Sequence, residues 1–206
     1  MDPALWLAFV AAASVLLMIP GPTILLVISY SLTQGRRVAL AMALGVATGD
    51  FIAMTASLLG LGALVLASAE IFTVLKWIGA VYLVFLGVKL WRSPPHLGDL
   101  AAPAPKAARA IYLHAATVTA LNPKSIAFFI AFVPQFLRPA QPLGPQFATL
   151  IATFVGLATL NALGYALLAD RLRARIRRPA VLRWMGRTGG TALIGMGALT
   201  AALARR

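Results

Sequence analysis

Asp50 stands alone as a charge inside the long apolar run Val38–Ala69. In a helix rising 1.5 Å per residue it lies about 12 residues, or about 18 Å, into that run. This is near the middle of a hydrocarbon core about 30 Å thick. A carboxylate at such a depth costs about 2.5–3.5 kcal/mol on insertion scales, so it requires a partner, a proton or a wet cavity. Lys124 lies at a similar depth in another apolar run, Ile111–Leu137, and is the expected partner. An acid and a base facing each other there could hold the two ends of a zwitterion. Asp50 could also take up and release a proton. The plain alternative is an ion pair that only locks two helices together.

Helix-breaking residues stand close to these charges. Pro20, Gly21 and Pro22 interrupt the first apolar run, and Asn122 and Pro123 interrupt the fourth. Proline inside a helix removes a backbone hydrogen bond and clashes with the preceding turn. In lipid the freed groups are tolerated only where protein or a cavity satisfies them. Asparagine is a good N-cap and proline suits the first helical position, so each break is expected to start a half-helix. Free N–H groups and the positive dipole end would then face the bundle centre, where they suit a substrate carboxylate. A proline kink without a ligand is the alternative. Gly49 precedes Asp50 and forms a Gly-xxx-Gly pair with Gly45. Close helix packing explains the pair best, with room for substrate at Gly49 as the second reading. Asn161 in the fifth run could hydrogen-bond substrate or glue helices. His114 reads as structural.

The elements that position these residues are apolar helices. Of 206 residues, 61% are hydrophobic and 11% charged, and the mean hydropathy is +0.89. Soluble domains are nearer 45–50% apolar and about 25% charged. The runs Leu5–Ser31, Val38–Ala69, Ile71–Leu90, Ile111–Leu137, Phe147–Ala169 and Ala180–Ala204 each reach the roughly 17–25 residues that span a bilayer. The short alternating strands of a membrane barrel are absent from the pattern. Met1–Ala13 lacks a basic start and runs on into further apolar sequence, so it reads as a retained first span rather than a signal peptide. There is no cysteine, which removes disulfides, thiolate metal sites and a cysteine nucleophile. The net charge of +13 would suggest nucleic acid in a soluble protein, but here the positive charges sit between spans, where topology selects them.

Those charges orient the chain. Arg36 and Arg37 mark the first connection. Lys89, Arg92, Lys106 and Arg109 mark the third, and Arg171, Arg173, Arg175, Arg177, Arg178 and Arg183 the fifth. The odd connections should face the cytoplasm, with both termini on the periplasmic side. The Pro-rich stretch Ser93–Pro105 divides the chain nearly in half. The halves echo one another: Gly45–Asp50 answers Gly156–Asn161, Leu75–Gly79 answers Leu182–Gly186, and Pro20–Pro22 answers Asn122–Lys124. Three spans per half force the second copy to enter from the opposite side. The expected fold is therefore an all-α polytopic membrane protein. It has six transmembrane helices as two inverted three-helix repeats, residues 1–92 and 110–206, joined by a cytoplasmic linker at 93–109. The first and fourth helices are broken near mid-membrane. Many secondary transporters are built on this symmetry.

The early Pro20-Gly21-Pro22, the Gly-xxx-Gly-Asp ending at Asp50, Asn122-Pro123-Lys124, the stretch 132–136 and the third-span stretch 76–87 together resemble the LysE/RhtB family of amino-acid exporters. The resemblance covers almost the whole chain, in the family's order and length. It implies efflux of amino acids or close derivatives across a bacterial inner membrane, driven by the proton gradient. Pro20, Gly21, Pro22, Asp50, Asn122, Pro123 and Lys124 fall on its motif positions. The partners it implies are an amino-acid substrate and protons, beside membrane lipids. No cofactor is expected, and a homo-oligomer is left open. A channel or another small-solute carrier is the competing reading. A membrane-embedded enzyme is disfavoured: the sequence offers no His-x-x-x-His pattern, and Ser125 beside Lys124 is no dyad because adjacent helical residues do not face each other.

Overall fold

The computed structural model describes residues 1–19, 21–67, 69–93, 107–138, 141–176 and 179–203. Pro20, most of the linker and the side chains of the arginines at 171–178 lie outside the described residues, and with them part of the orientation argument. All regular structure among the described residues is helical. The α-helices are α1 (Pro3–Met18), α2 (Pro22–Gln34), α3 (Ala39–Ala67), α4 (Ala69–Arg92), α5 (Ala108–Ala120), α6 (Pro123–Ala131), α7 (Leu143–Ile176) and α8 (Pro179–Leu203). Short 3₁₀ turns run over Gly35–Val38 and Val133–Phe136.

Local sequence explains the helix ends. Asp2 accepts the Ala4 N–H at 2.8 Å, and Pro3 takes the first position of α1. Pro22 and Pro123 do the same for α2 and α6, where the missing proline N–H would have had no helical partner. Gly35, at φ 70°, ends α2 in a conformation that side chains with a Cβ rarely adopt. Among the described residues, three helical stretches are long and apolar enough to cross a membrane: Pro22–Ala63, Thr73–Arg92 and Leu143–Ala169. The Pro3–Met18 helix is apolar but shorter, because the chain breaks after it.

The burial pattern reverses that of a soluble domain. Leu40, Leu59, Val81 and Leu160 are each more than 60% exposed, whereas Asp50, Thr119 and Asn122 are at most 3% exposed. Large apolar side chains facing outward and polar ones inward suit a lipid solvent. Packing between helices relies on glycine. A Cβ on Gly45 or Gly49 would fall within 2.6 Å of the Tyr112 or Ala116 carbonyl oxygen of α5. Gly87 of α4 and Gly190 of α8 approach each other as closely, and Gly197 meets the Ala80 carbonyl. Backbones this near exclude any side chain, which is the small-residue route to helix association in membranes. An aromatic cluster fills the space between α1, α6 and α7. Phe9 meets Phe136 at 5.4 Å and Phe129 meets Phe154 at 4.8 Å, both edge-on.

Candidate functional site

Both breaks form where the sequence puts them. Helix α1 stops at Met18, Ile19 turns extended at ψ 116°, and α2 restarts after Gly21 at φ −120°, ψ −172°. In the fourth run α5 stops at Ala120. Asn122 turns extended and caps α6 by accepting the Lys124 N–H at 3.1 Å. The Asn122 amide also donates to Thr23 Oγ1 at 3.1 Å, and the Thr119 hydroxyl reaches the same oxygen at 3.4 Å. The start of α2 is thereby tied directly to the start of α6.

The two breaks enclose one small chamber. Gly21, Thr23, Asp50, Asn122, Lys124, Ser125 and Asn161 line it, with Leu16, Leu17, Ile24, Val46 and Ala158. Its volume is about 20 Å³, room for about one water molecule. Little free space is therefore left around its polar groups. Asp50 is 2% exposed, and its Oδ1 has no hydrogen-bond partner. It shares the chamber with the N-terminal turns of α2 and α6, the ends that favour negative charge.

Lys124 departs from expectation. It lines the same chamber as Asp50, but its ammonium does not close an ion pair. An ion pair does form between Asp2 and Arg138, away from the chamber residues. The Lys124 ammonium instead donates to the carbonyls of Leu16 at 3.0 Å and Ile19 at 2.8 Å. Asn161 donates to the Leu17 carbonyl at 3.1 Å and Tyr165 to the Met18 carbonyl at 3.4 Å. All four carbonyls at the end of α1 thus receive donors from α6 or α7. The physical reason is the orphan carbonyls of a helix C-terminus, which attract cations and demand donors when no water reaches them. The break in the first run exposes a negative helix end as well as a positive one, and the lysine serves the negative end.

Of the nine sequence-selected residues, Gly21, Asp50, Asn122, Lys124 and Asn161 come together around the chamber. Pro22 and Pro123 start the half-helices beside it. Gly49 faces α5 instead, as its packing role requires. Pro20 lies outside the described residues. His114 joins Tyr30, Nδ1 to OH at 3.0 Å, and ties α5 to α2. Thr23, Thr119 and Tyr165 were not singled out by the sequence reading. Thr23 and Thr119 lie within three residues of a break, which is the one signal that pointed to them.

A family model described as LysE type translocator matches residues 14–203. The chain belongs to the LysE-type translocator family. Both breaks and every chamber residue fall inside the matched segment of this family. An uncharacterised membrane protein of Vibrio cholerae is 36% identical over 201 residues, 98% of each chain. A homoserine/homoserine lactone efflux protein of Salmonella typhimurium is 34% identical over 197 residues, 95% of each. A leucine efflux protein of Salmonella choleraesuis is 27% identical over 162 residues, 78% of this chain and 76% of the relative. No solved structure matches.

Proposed function

We propose that this protein is a secondary transporter that exports amino acids or close derivatives from the cytoplasm across the bacterial inner membrane by proton antiport. The observation that carries the reading is the small polar chamber shared by both breaks, in which a buried Asp50 oxygen has no partner. A carboxylate held away from its nearest lysine is available to a substrate ammonium or a proton. Family membership and the names of two relatives, efflux proteins for homoserine and leucine, support amino acids as the cargo. In this reading the breaks lie at mid-membrane, between two inverted three-helix repeats, with the linker cytoplasmic and both termini periplasmic. Polar groups gathered at two helix breaks favour a carrier over a channel, since transporter binding sites are built at such breaks.

Asp50→Asn tests the reading. It keeps the shape and hydrogen-bonding reach of the side chain and removes its charge. In proteoliposomes the variant is expected to lose amino-acid efflux driven by a pH gradient. Exchange of substrate without a gradient survives if Asp50 carries the proton, and weakens if Asp50 holds the ammonium. Full proton-driven efflux by correctly inserted Asp50→Asn would rule out both roles.

A further inference from the structure

A second cavity, of about 310 Å³ and open to the outside, lies between the start of α2, the C-terminal half of α4 and the start of α6. Leu25, Tyr82, Phe85 and Leu86 give it apolar walls, and it ends at Lys89 and Ser93, the edge of the basic linker. Its volume is at the small end of ligand pockets, about 300–1,000 Å³. Gly21, Asn122 and Lys124 line this cavity and the Asp50 chamber alike. These three residues are therefore the wall between the two spaces.

We propose that the open cavity is the cytoplasmic loading vestibule for a zwitterionic substrate, and that the Lys124 side chain is the gate between it and the Asp50 chamber. The proposal rests on the export reading above. Of the three wall residues only Lys124 has a long side chain that can move once its ammonium releases the Leu16 and Ile19 carbonyls. Gly21 is backbone, and Asn122 is fixed by its cap on α6 and its bond to Thr23. Lys124 has a flexible stem and a compact head with three donors. The stem passes over Gly21, where an added Cβ would come to 3.4 Å from Cε and Nζ. Glycine there leaves the stem room to swing.

The gate opens without baring a charge. A substrate ammonium offers the same donors as the lysine head, so it can take over the Leu16 and Ile19 carbonyls as Lys124 releases them. The freed lysine then faces the substrate carboxylate beside the α2 and α6 N-termini. One ammonium replaces another throughout, which avoids the cost of an uncompensated group in a low-dielectric interior.

The cysteine-free chain allows a direct test on full-length protein in lipid, using the 2-aminoethyl methanethiosulfonate cation as probe. Single cysteines replace Leu86 in the vestibule, Ala158 in the chamber, and Ala162, which is buried on α7 outside the chamber. Leu86→Cys is expected to react readily with Lys124 present or absent. Ala158→Cys is expected to be protected when Lys124 is present and to react at least about tenfold faster in Lys124→Ala, as a local opening rather than an unfolding event. Ala162→Cys stays protected in both. Should Ala162→Cys also speed up, Lys124→Ala has lost its fold and Lys124→Gln decides, with a smaller rise expected at Ala158→Cys alone. Equal Ala158→Cys rates with and without the lysine head, while Leu86→Cys still reacts, would overturn the gate. Labelling reads the gate without transport. A gate that responds as expected in a protein whose Asp50→Asn form keeps proton-driven efflux would therefore sink the coupling role and leave the gate standing.

Discussion

The two helix breaks look alike in sequence and are held by different means. The second is built from its own residues: Asn122 caps α6, and Pro123 needs no N–H. The first has no side-chain cap at Gly21, and the carbonyls that α1 leaves open are satisfied from elsewhere, by Lys124, Asn161 and Tyr165. One break is locally encoded and the other is held by tertiary contacts. A joint that depends on three distant donors can be released by moving them, whereas a capped helix start cannot. The asymmetry assigns motion to the first break and rigidity to the second. Both α6 and α7 hold α1: Lys124 of α6 with Asn161 and Tyr165 of α7 bind its end, Phe128 and Phe136 pack on Phe9, Trp6 donates to Thr153 of α7, and Arg138 beyond α6 pairs with Asp2 at its start.

Removing the distant support should therefore have the largest effect. Lys124→Ala leaves the Ile19 carbonyl without a donor and the Leu16 carbonyl with only the Ile19 N–H, at roughly 1–3 kcal/mol for the orphaned group. The expected outcome is a melting temperature lower by several degrees in detergent, with hydrogen exchange rising at residues 16–21 and unchanged at 121–126. Equal loosening of both breaks would end the distinction between them.

Cutting the local support should cost less. Asn122→Ala removes one cap, typically about 1 kcal/mol, together with the bond to Thr23. Asn122→Asp keeps an acceptor for the Lys124 N–H but cannot donate to Thr23, so it is expected to recover the cap and leave α2 less firmly tied. Thermal melting and hydrogen exchange at Thr23 separate the two contributions. A larger loss in Asn122→Ala than in Lys124→Ala would reverse the ranking of the breaks.

This difference also marks what the sequence could reveal. Helix breaks at proline, the cap at Asn122, the buried position of Asp50 and the packing of Gly45 and Gly49 follow from local chemistry, and each was legible. The destination of the Lys124 ammonium was not. Charge matching pointed it to Asp50, because a sequence displays side-chain charges and hides backbone carbonyls that become orphaned only when the helix stops. The vestibule was hidden for a related reason. Tyr82, Phe85 and Leu86 are ordinary apolar residues of α4, and only the gap opposite them, left by the breaks at α2 and α6, makes them walls.

The smallest effect belongs to the far end of α1. Asp2 caps the helix through the Ala4 N–H and pairs with Arg138 at an exposed site. The Ala4 N–H first, and then the Arg138 charge, hold the Asp2 carboxyl below its ordinary value of 3.8. A carboxyl lowered by folding contributes stability that is complete above its unfolded pKa and is lost as the pH falls through the folded one. The contribution should therefore be full at neutral pH and fade below about pH 3.8. Asp2→Asn retains an N-cap acceptor and loses the charge, so at neutral pH it should melt slightly lower than wild type, and below that pH the two should converge. High salt should shrink the difference at neutral pH, because an exposed pair is screened. If the two ends of α1 are anchored separately, Asp2→Asn should also raise exchange modestly at residues 4–8 while the residues around the first break stay protected by Lys124. Loosening that spreads from Asp2 to the first break would mean that α1 is held as one rigid rod, not anchored separately at each end.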